Sequence, residues 1–331
     1  MIHRRRPLLV RARGGFTLVE MLVTVTIVAI LAAMVFGAMT AAENTAKIAK
    51  TRATIVKLHR LIMARYESYK TRRIPIDMFL RADTNNPINP AMTPAEMAQV
   101  RLDAIREIMR MELPERASDV VNRPDGNAVA PFTTPGWSKI SSNTSGRKVP
   151  PTSVYQAYYS YWQQQESQGR TWRDTTANTH TSAECLYLII TMACPGGREQ
   201  FSESEIGDVD KDGWPEFIDG WGRPIYFFRW APGFIRAYGA DSALQSGDAT
   251  RQHDPFDTQR MQANAYQLIP LIYSAGPDGV SDLMTSGNYS SVVLSSGRRD
   301  PYLLQSGRPG SENNQKLKHF DNIHNHQLDI R

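Results

Sequence analysis

The side chains best suited to chemistry lie in Asp208-Val-Asp210-Lys-Asp212-Gly213, with acids at positions 1, 3 and 5 and glycine at position 6 of an EF-hand-like loop. Glu216 then falls at position 9 and Asp219 at position 12. Calcium takes roughly six to eight oxygen ligands, and alternating carboxylates around a tight glycine turn can converge on one such hard cation. Two features depart from that pattern: Asp219 stands where a chelating Glu is usual, and Pro215 occupies position 8. A solvated acidic turn is the competing reading. The spacing favours a structural Ca2+ held by Asp208, Asp210, Asp212, Glu216 and Asp219.

No arrangement points to catalysis, and the chain is expected not to be an enzyme. His253 stands beside Asp254 in a loop that offers no marked nucleophile. His319, His324 and His326 gather in a polar stretch and are expected to face solvent. There is no G-x-S-x-G, phosphate loop or H-E-x-x-H. Cys185 and Cys194 are nine residues apart, about 13 Å along one helix, too far for a disulfide. They are expected to be buried small hydrophobes.

A single acid in an apolar run is the other chemical signal. From Met21 through Ala42 there are 22 residues without a charge, about 33 Å of helix and enough to cross a bilayer core. Glu20 stands at the head of this run. A carboxylate in hydrocarbon is costly unless neutralised or paired, so Glu20 is a functional candidate; the alternative is an interfacial Glu on an ordinary anchor. The run is longer than the core of a secretory signal peptide, and no small-residue cleavage pattern follows it.

The residue order is specific: a basic leader, Gly14-Gly15, then Phe16-Thr17-Leu18-Val19-Glu20 and an apolar helix. This resembles the class III signal of type IV pilins and type II secretion pseudopilins. The resemblance implies cleavage between Gly15 and Phe16 by a prepilin peptidase, followed by methylation of the new amine at Phe16. It also implies that Glu20 of one subunit neutralises the Phe16 amine of its neighbour, so that two costly charges become one assembly contact. Many members carry a helix-bending proline late in this helix. Here the matching residue is Gly37, which weakens a helix without forcing a kink.

Charge supports no nucleic-acid partner. The formal net charge is +5, and Arg4, Arg5, Arg6, Arg11 and Arg13 of the leader account for all of it, leaving 33 Lys+Arg against 33 Asp+Glu. Lys47, Lys50, Arg52, Lys57 and Arg60 match those five arginines on the other side of the apolar run, so charge counting leaves the topology tied. The resemblance implies a single-pass bacterial inner-membrane protein with its C-terminal domain on the periplasmic side.

The elements that must position these groups follow from periodicity. Ile48, Ile55, Leu58, Ile62, Tyr66 and Tyr69 form an amphipathic stripe that extends the membrane helix to Pro75. Thr93-Pro94-Ala95-Glu96 reads as a capping box opening a helix to about Met111, with further helices over 153–165 and 182–193. The Tyr155, Tyr158, Tyr159, Tyr161 and Trp162 cluster is read as packing in preference to an adhesive surface. Residues 224–230 and 266–273 read as strands, with Pro270 suggesting an edge position or bulge.

Asp219-Gly-Trp-Gly-Arg-Pro224 and Tyr273-Ser-Ala-Gly-Pro-Asp-Gly279 carry D-x-W-G-x-P and S-x-G-x-D-G. These resemble landmarks of the major type II pseudopilin, in the same order after the same kind of helix. The resemblance spans about residues 14–74 and 216–283; the segment between and the stretch after Ser286 depart from it. It adds a second calcium candidate in the loop at Ser274, Asp278 and Asp282, against a metal-free glycine turn.

The expected fold is α+β and pilin-like: a long N-terminal helix, half membrane and half amphipathic, packed on a small C-terminal antiparallel sheet, with a helical insertion. The expected divisions are 1–15 leader, 16–42 transmembrane and assembly helix, 43–74 amphipathic continuation, 75–205 insertion, 206–286 calcium-loop and sheet region, and 287–331 polar tail. The expected function is that of a structural subunit polymerising through its N-terminal helices into a type II secretion pseudopilus or related type IV filament. Its expected partners are copies of itself, prepilin peptidase and an inner-membrane assembly platform. The alternatives are a minor or tip pilin with an adhesive insertion, and a membrane-anchored enzyme or binding module.

Overall fold

The two hydrophobic patterns of the N-terminal third lie on one helix. The computed structural model describes residues 15–74, 94–121, 149, 151–172, 180–232, 252–281, 283, 301–303 and 321–327. Helix α1 runs unbroken from Leu18 to Ser68, 51 residues, or about 76 Å. Gly37 does not interrupt it. The chain divides between Ala46 and Lys47 into two units. In the first, helix residues are exposed nearly all round; in the second, Thr51, Thr54, Ile55, Leu58, Ile62 and Tyr66 are buried. Every position of the expected stripe is buried or half-buried in the domain core.

Two threonines extend that stripe with hydrogen bonds. Thr51 Oγ1 accepts from the Gly220 N–H at 2.9 Å, and Thr54 Oγ1 donates to Glu205 at 2.7 Å. Lys57 Nζ also donates to Glu205, at 2.9 and 3.0 Å. Burial alone would raise the Glu205 carboxyl, but Thr54, the Ser202 N–H and Lys57 together hold it at about 2.

Among its described residues the middle region supplies four α-helices: α2 (Pro94–Glu112), α3 (Ala117–Val121), α4 (Ser153–Ser167) and α5 (Thr181–Met192). α2 starts at the proline that the sequence places at its first position, and Thr152 caps α4 by accepting from the Tyr155 N–H. Tyr155 and Tyr158 are buried, while Tyr159, Tyr161 and Trp162 pack half-buried on the same core, so the aromatic cluster is packing. Cys185 and Cys194 are buried thiols.

These helices share one hydrophobic core with α1 and the strands. Buried charge reinforces it. Glu112 accepts from Arg65, Arg72 and Tyr69 of the α1 end, and Arg229 and Arg110 both pair with Asp119. Burial would raise Asp119, but Arg229 and Arg110 hold it below the ordinary carboxylate value. Each partner therefore makes the other tolerable in the interior.

Among the described residues, five short strands accompany these helices. β1 (Ile206–Gly207) and β2 (Glu216–Phe217) pair antiparallel, Ile206 opposite Phe217, with the acidic loop between them. β3 (Tyr226–Phe228), β4 (Leu271–Ser274) and β5 (Ile323–His324) form an antiparallel sheet in the order β3-β4-β5. Tyr226 lies opposite Tyr273, and Tyr273 opposite His324.

The architecture is α+β and pilin-like, with two corrections. β4 is the central strand, not an edge: Pro270 lies just before it, where no ladder N–H is required, and its carbonyl accepts from Asn325 at 2.8 Å. Residues within the expected polar tail contribute β5, and His324 and His326 are buried, not solvent-facing. The reason is that β4 needs a second neighbour. Asn325 Oδ1 accepts from the Ile272 N–H at 2.8 Å, so this side chain continues the pairing beyond the strand. His319 lies outside the described residues.

Candidate functional site

At the N-terminal site Gly15, Phe16 and Thr17 precede the helix, and Phe16 is exposed. Thr17 and Glu20 form a reciprocal capping box. The Thr17 N–H and hydroxyl donate to Glu20 Oε2 at 2.8 and 2.9 Å, and the Glu20 N–H donates back to Thr17 Oγ1 at 3.2 Å. The carboxylate therefore satisfies its own helix terminus. T-x-x-E before an apolar run was readable as a cap, a signal that attention to Glu20 as a lone charge passes over.

The acidic site hangs between β1 and β2. Asp208 Oδ2 accepts from the Gly213 N–H at 3.0 Å, and Asp212 Oδ1 from the Trp214 N–H at 2.8 Å. Lys211 and Gly213 take left-handed φ values of 62° and 92° to close the turn. Beneath it, fully buried Glu216 accepts from the Val209 N–H through Oε2 at 3.1 Å. Its Oε1 is buried with no hydrogen-bond partner. Burial, and then the nearby Asp210, Asp208 and Asp212 charges against the Val209 hydrogen bond, push Glu216 up to about 8.

One ligand-type oxygen from each of Glu184, Asp210 and Asp212 lies within 4.8 Å of the others. Asp212 is raised by burial first and by Asp210 and Asp208 after it, against its hydrogen bonds with Trp214 and Glu184. Glu184 comes from α5 and accepts from Trp172 Nε1. It was not among the sequence candidates, although it is the one charged residue in that apolar helix. A buried acid on such a face is itself a signal.

Asp219 does not join this group. Its Oδ1 accepts from the Trp221 and Arg223 N–H groups at 2.8 and 3.0 Å, and its Oδ2 from the Ser274 hydroxyl at 2.7 Å. That last bond ties D-x-W-G-x-P to S-x-G-x-D-G, which gives the two landmarks a common structural purpose. Arg223 Nη1 adds a bond to Gly276 O at 2.8 Å. In the second candidate loop Ser274 is thus engaged with Asp219, Asp278 Oδ1 accepts from the Val280 N–H at 2.8 Å, and Asp282 lies outside the described residues. Asp254, beside His253, pairs instead with Arg106 at 3.2 Å.

Among the described residues, α1 is the one helix long and apolar enough to cross a membrane. Residues 10–36 match the family profile described as the prokaryotic N-terminal methylation motif. No curated protein and no solved structure is significantly similar to the chain. The chain thus carries a type IV pilin-like N-terminal signal, of the kind processed by prepilin peptidase, leading into a helix suited to anchor it in a membrane.

Proposed function

We propose that this protein is a structural, non-catalytic subunit of a type II secretion pseudopilus or a related type IV filament. The observation that carries the reading is the methylation motif continuing into a helix whose first half is apolar on every side. Cleavage after Gly15 leaves a cationic amine on Phe16. Before assembly Glu20 caps its own helix through Thr17. In the filament it turns to the Phe16 amine of a neighbouring copy, where low dielectric makes an unpaired charge costly.

The subunit waits in the bacterial inner membrane as a single-pass protein with its C-terminal domain on the periplasmic side, and an assembly platform draws it into the filament. No nucleic acid takes part. The tip-adhesin alternative is weakened because Tyr155 and Tyr158 are buried and the middle helices share the domain core.

The test is the mass and N-terminal sequence of the protein made with and without a prepilin peptidase. A peptidase-dependent start at methylated Phe16 is expected. An intact leader, or a cut elsewhere, would sink the reading.

A further inference from the structure

We propose that Glu184, Asp210 and Asp212, backed by Glu216, form a binding site for one calcium ion that couples helix α5 to the β1–β2 hairpin. The site differs from the linear loop of the sequence pattern in one decisive respect. Its fourth wall is Glu184, from a helix more than twenty residues earlier in the chain, while Asp219 is occupied by the Trp221–Arg223 turn and Ser274.

Three observations support it. Oxygens of Glu184, Asp210 and Asp212 converge within 4.8 Å. Glu184 is buried on α5 and Asp212 half-buried on the loop, and ionised carboxylates held together out of water are costly without a proton or a cation between them. Independently, Glu216 is fully buried beneath the loop with Oε1 lacking a hydrogen-bond partner, and its charged neighbours Asp208, Asp210 and Asp212 are all negative. An orphaned carboxylate oxygen among acids is costly to bury, and a cation above it removes that cost.

The donors are all carboxylate oxygens, which favours a hard ion over zinc or copper. Asp210 and Asp212 sit on an irregular hairpin turn, and Glu184 on helix α5. That suits the irregular, six-to-eight-oxygen shell of calcium better than the strict octahedron of magnesium. Carboxylates can bind in one- or two-oxygen fashion, and water completes the shell.

Two tryptophans report on the site. Trp172 donates to Glu184, and its ring stacks on Trp214, which follows the loop, with centroids 4.6 Å apart. Full-length protein in detergent should therefore bind terbium with tryptophan-sensitised luminescence, and calcium should displace it at one ion per chain. Calcium should also raise the melting temperature over that in a chelator.

Asp210→Asn, at an exposed loop position, tests the ligands without disturbing the core, and Glu184→Gln tests the helix contribution. Each should weaken calcium binding by about tenfold or more through the lost ligand charge, while Asp278→Asn leaves it unchanged. Four results overturn the proposal: no calcium binding by the unaltered protein; affinity in both site variants equal to that of the unaltered protein; loss of binding in Asp278→Asn with both site variants unaffected; or loss in Asp210→Asn with Glu184→Gln unaffected, which would remove α5 from the site.

Discussion

The two halves of α1 share one backbone geometry and differ in almost everything else. Residues 18–46 show apolar side chains in every direction, whereas beyond Lys47 burial follows a single stripe edged with threonines. Hydrogen bonding along the helix is the same in both, so the backbone does not distinguish them. The distinction lies in the surroundings each half requires: hydrocarbon on all sides for the first, one packed face for the second. Polar groups show the same contrast. Glu20 in the first half turns back on Thr17, while Thr51, Thr54 and Lys57 in the second reach across to Gly220 and Glu205.

The sharpest way to break this contrast is to cut the same residue type from each half. Leu58→Ala, at a fully buried position, should cost the domain about 2–5 kcal/mol. Leu31→Ala, in the exposed half, should change domain stability by less than about 0.5 kcal/mol. Denaturant unfolding of the full chain in detergent measures both, and equal losses would refute the division.

A smaller effect comes from backbone approach. A Cβ on Gly220 would stand 2.5 Å from the Lys47 carbonyl oxygen, so Gly220→Ala should destabilise by about 1–3 kcal/mol. An unchanged melting temperature would mean that the turn does not bear on the helix.

Acid sharpens the comparison next. The Glu205 carboxyl is depressed from an ordinary 4.5 to about 2 by its partners on α1 and Ser202. Its contribution is fully present above about 4.5 and is lost as pH falls through about 2. Glu205→Gln should therefore flatten the fall in melting temperature across that window. A slope matching that of the unaltered protein would show that the Thr54 and Lys57 bonds do not stabilise the fold.

The smallest effect belongs to the first half. Nothing lies within 4 Å of a Cβ on Gly37, so Gly37→Ala should strengthen the helix there by about 0.5–1 kcal/mol. Slower amide exchange in residues 33–41 in micelles would register it, and faster exchange would contradict it.

Much of this organisation was legible because it is local. The uncharged run, the stripe from Ile48 to Tyr69 and the proline that opens α2 are written within a few helical turns; the expected cap at Thr93 lies outside the described residues. What escaped was set by distant partners. Glu184 gains its meaning only when α5 is placed against the β1–β2 loop. Asp219 fits a ligand spacing in the chain, yet folding assigns it to Ser274, 55 residues away. Pro270 and His324 mislead for one shared reason. Each obeys a rule about exposed or edge positions that holds until the β5 segment returns to cover β4.

That return has a consequence for the order of events in folding. Asn325 Nδ2 lies 3.1 Å from His59 Nδ1 across 266 residues of chain; the same amide donates to Pro270 O and, through Oδ1, accepts from the Ile272 N–H. None of these contacts can form until residue 325 has been synthesised, long after α1 has emerged from the ribosome. The logarithmic growth of loop-closure entropy keeps such a junction thermodynamically affordable, but high contact order makes it slow to find. The helix is available for capture first, and the domain it carries locks last.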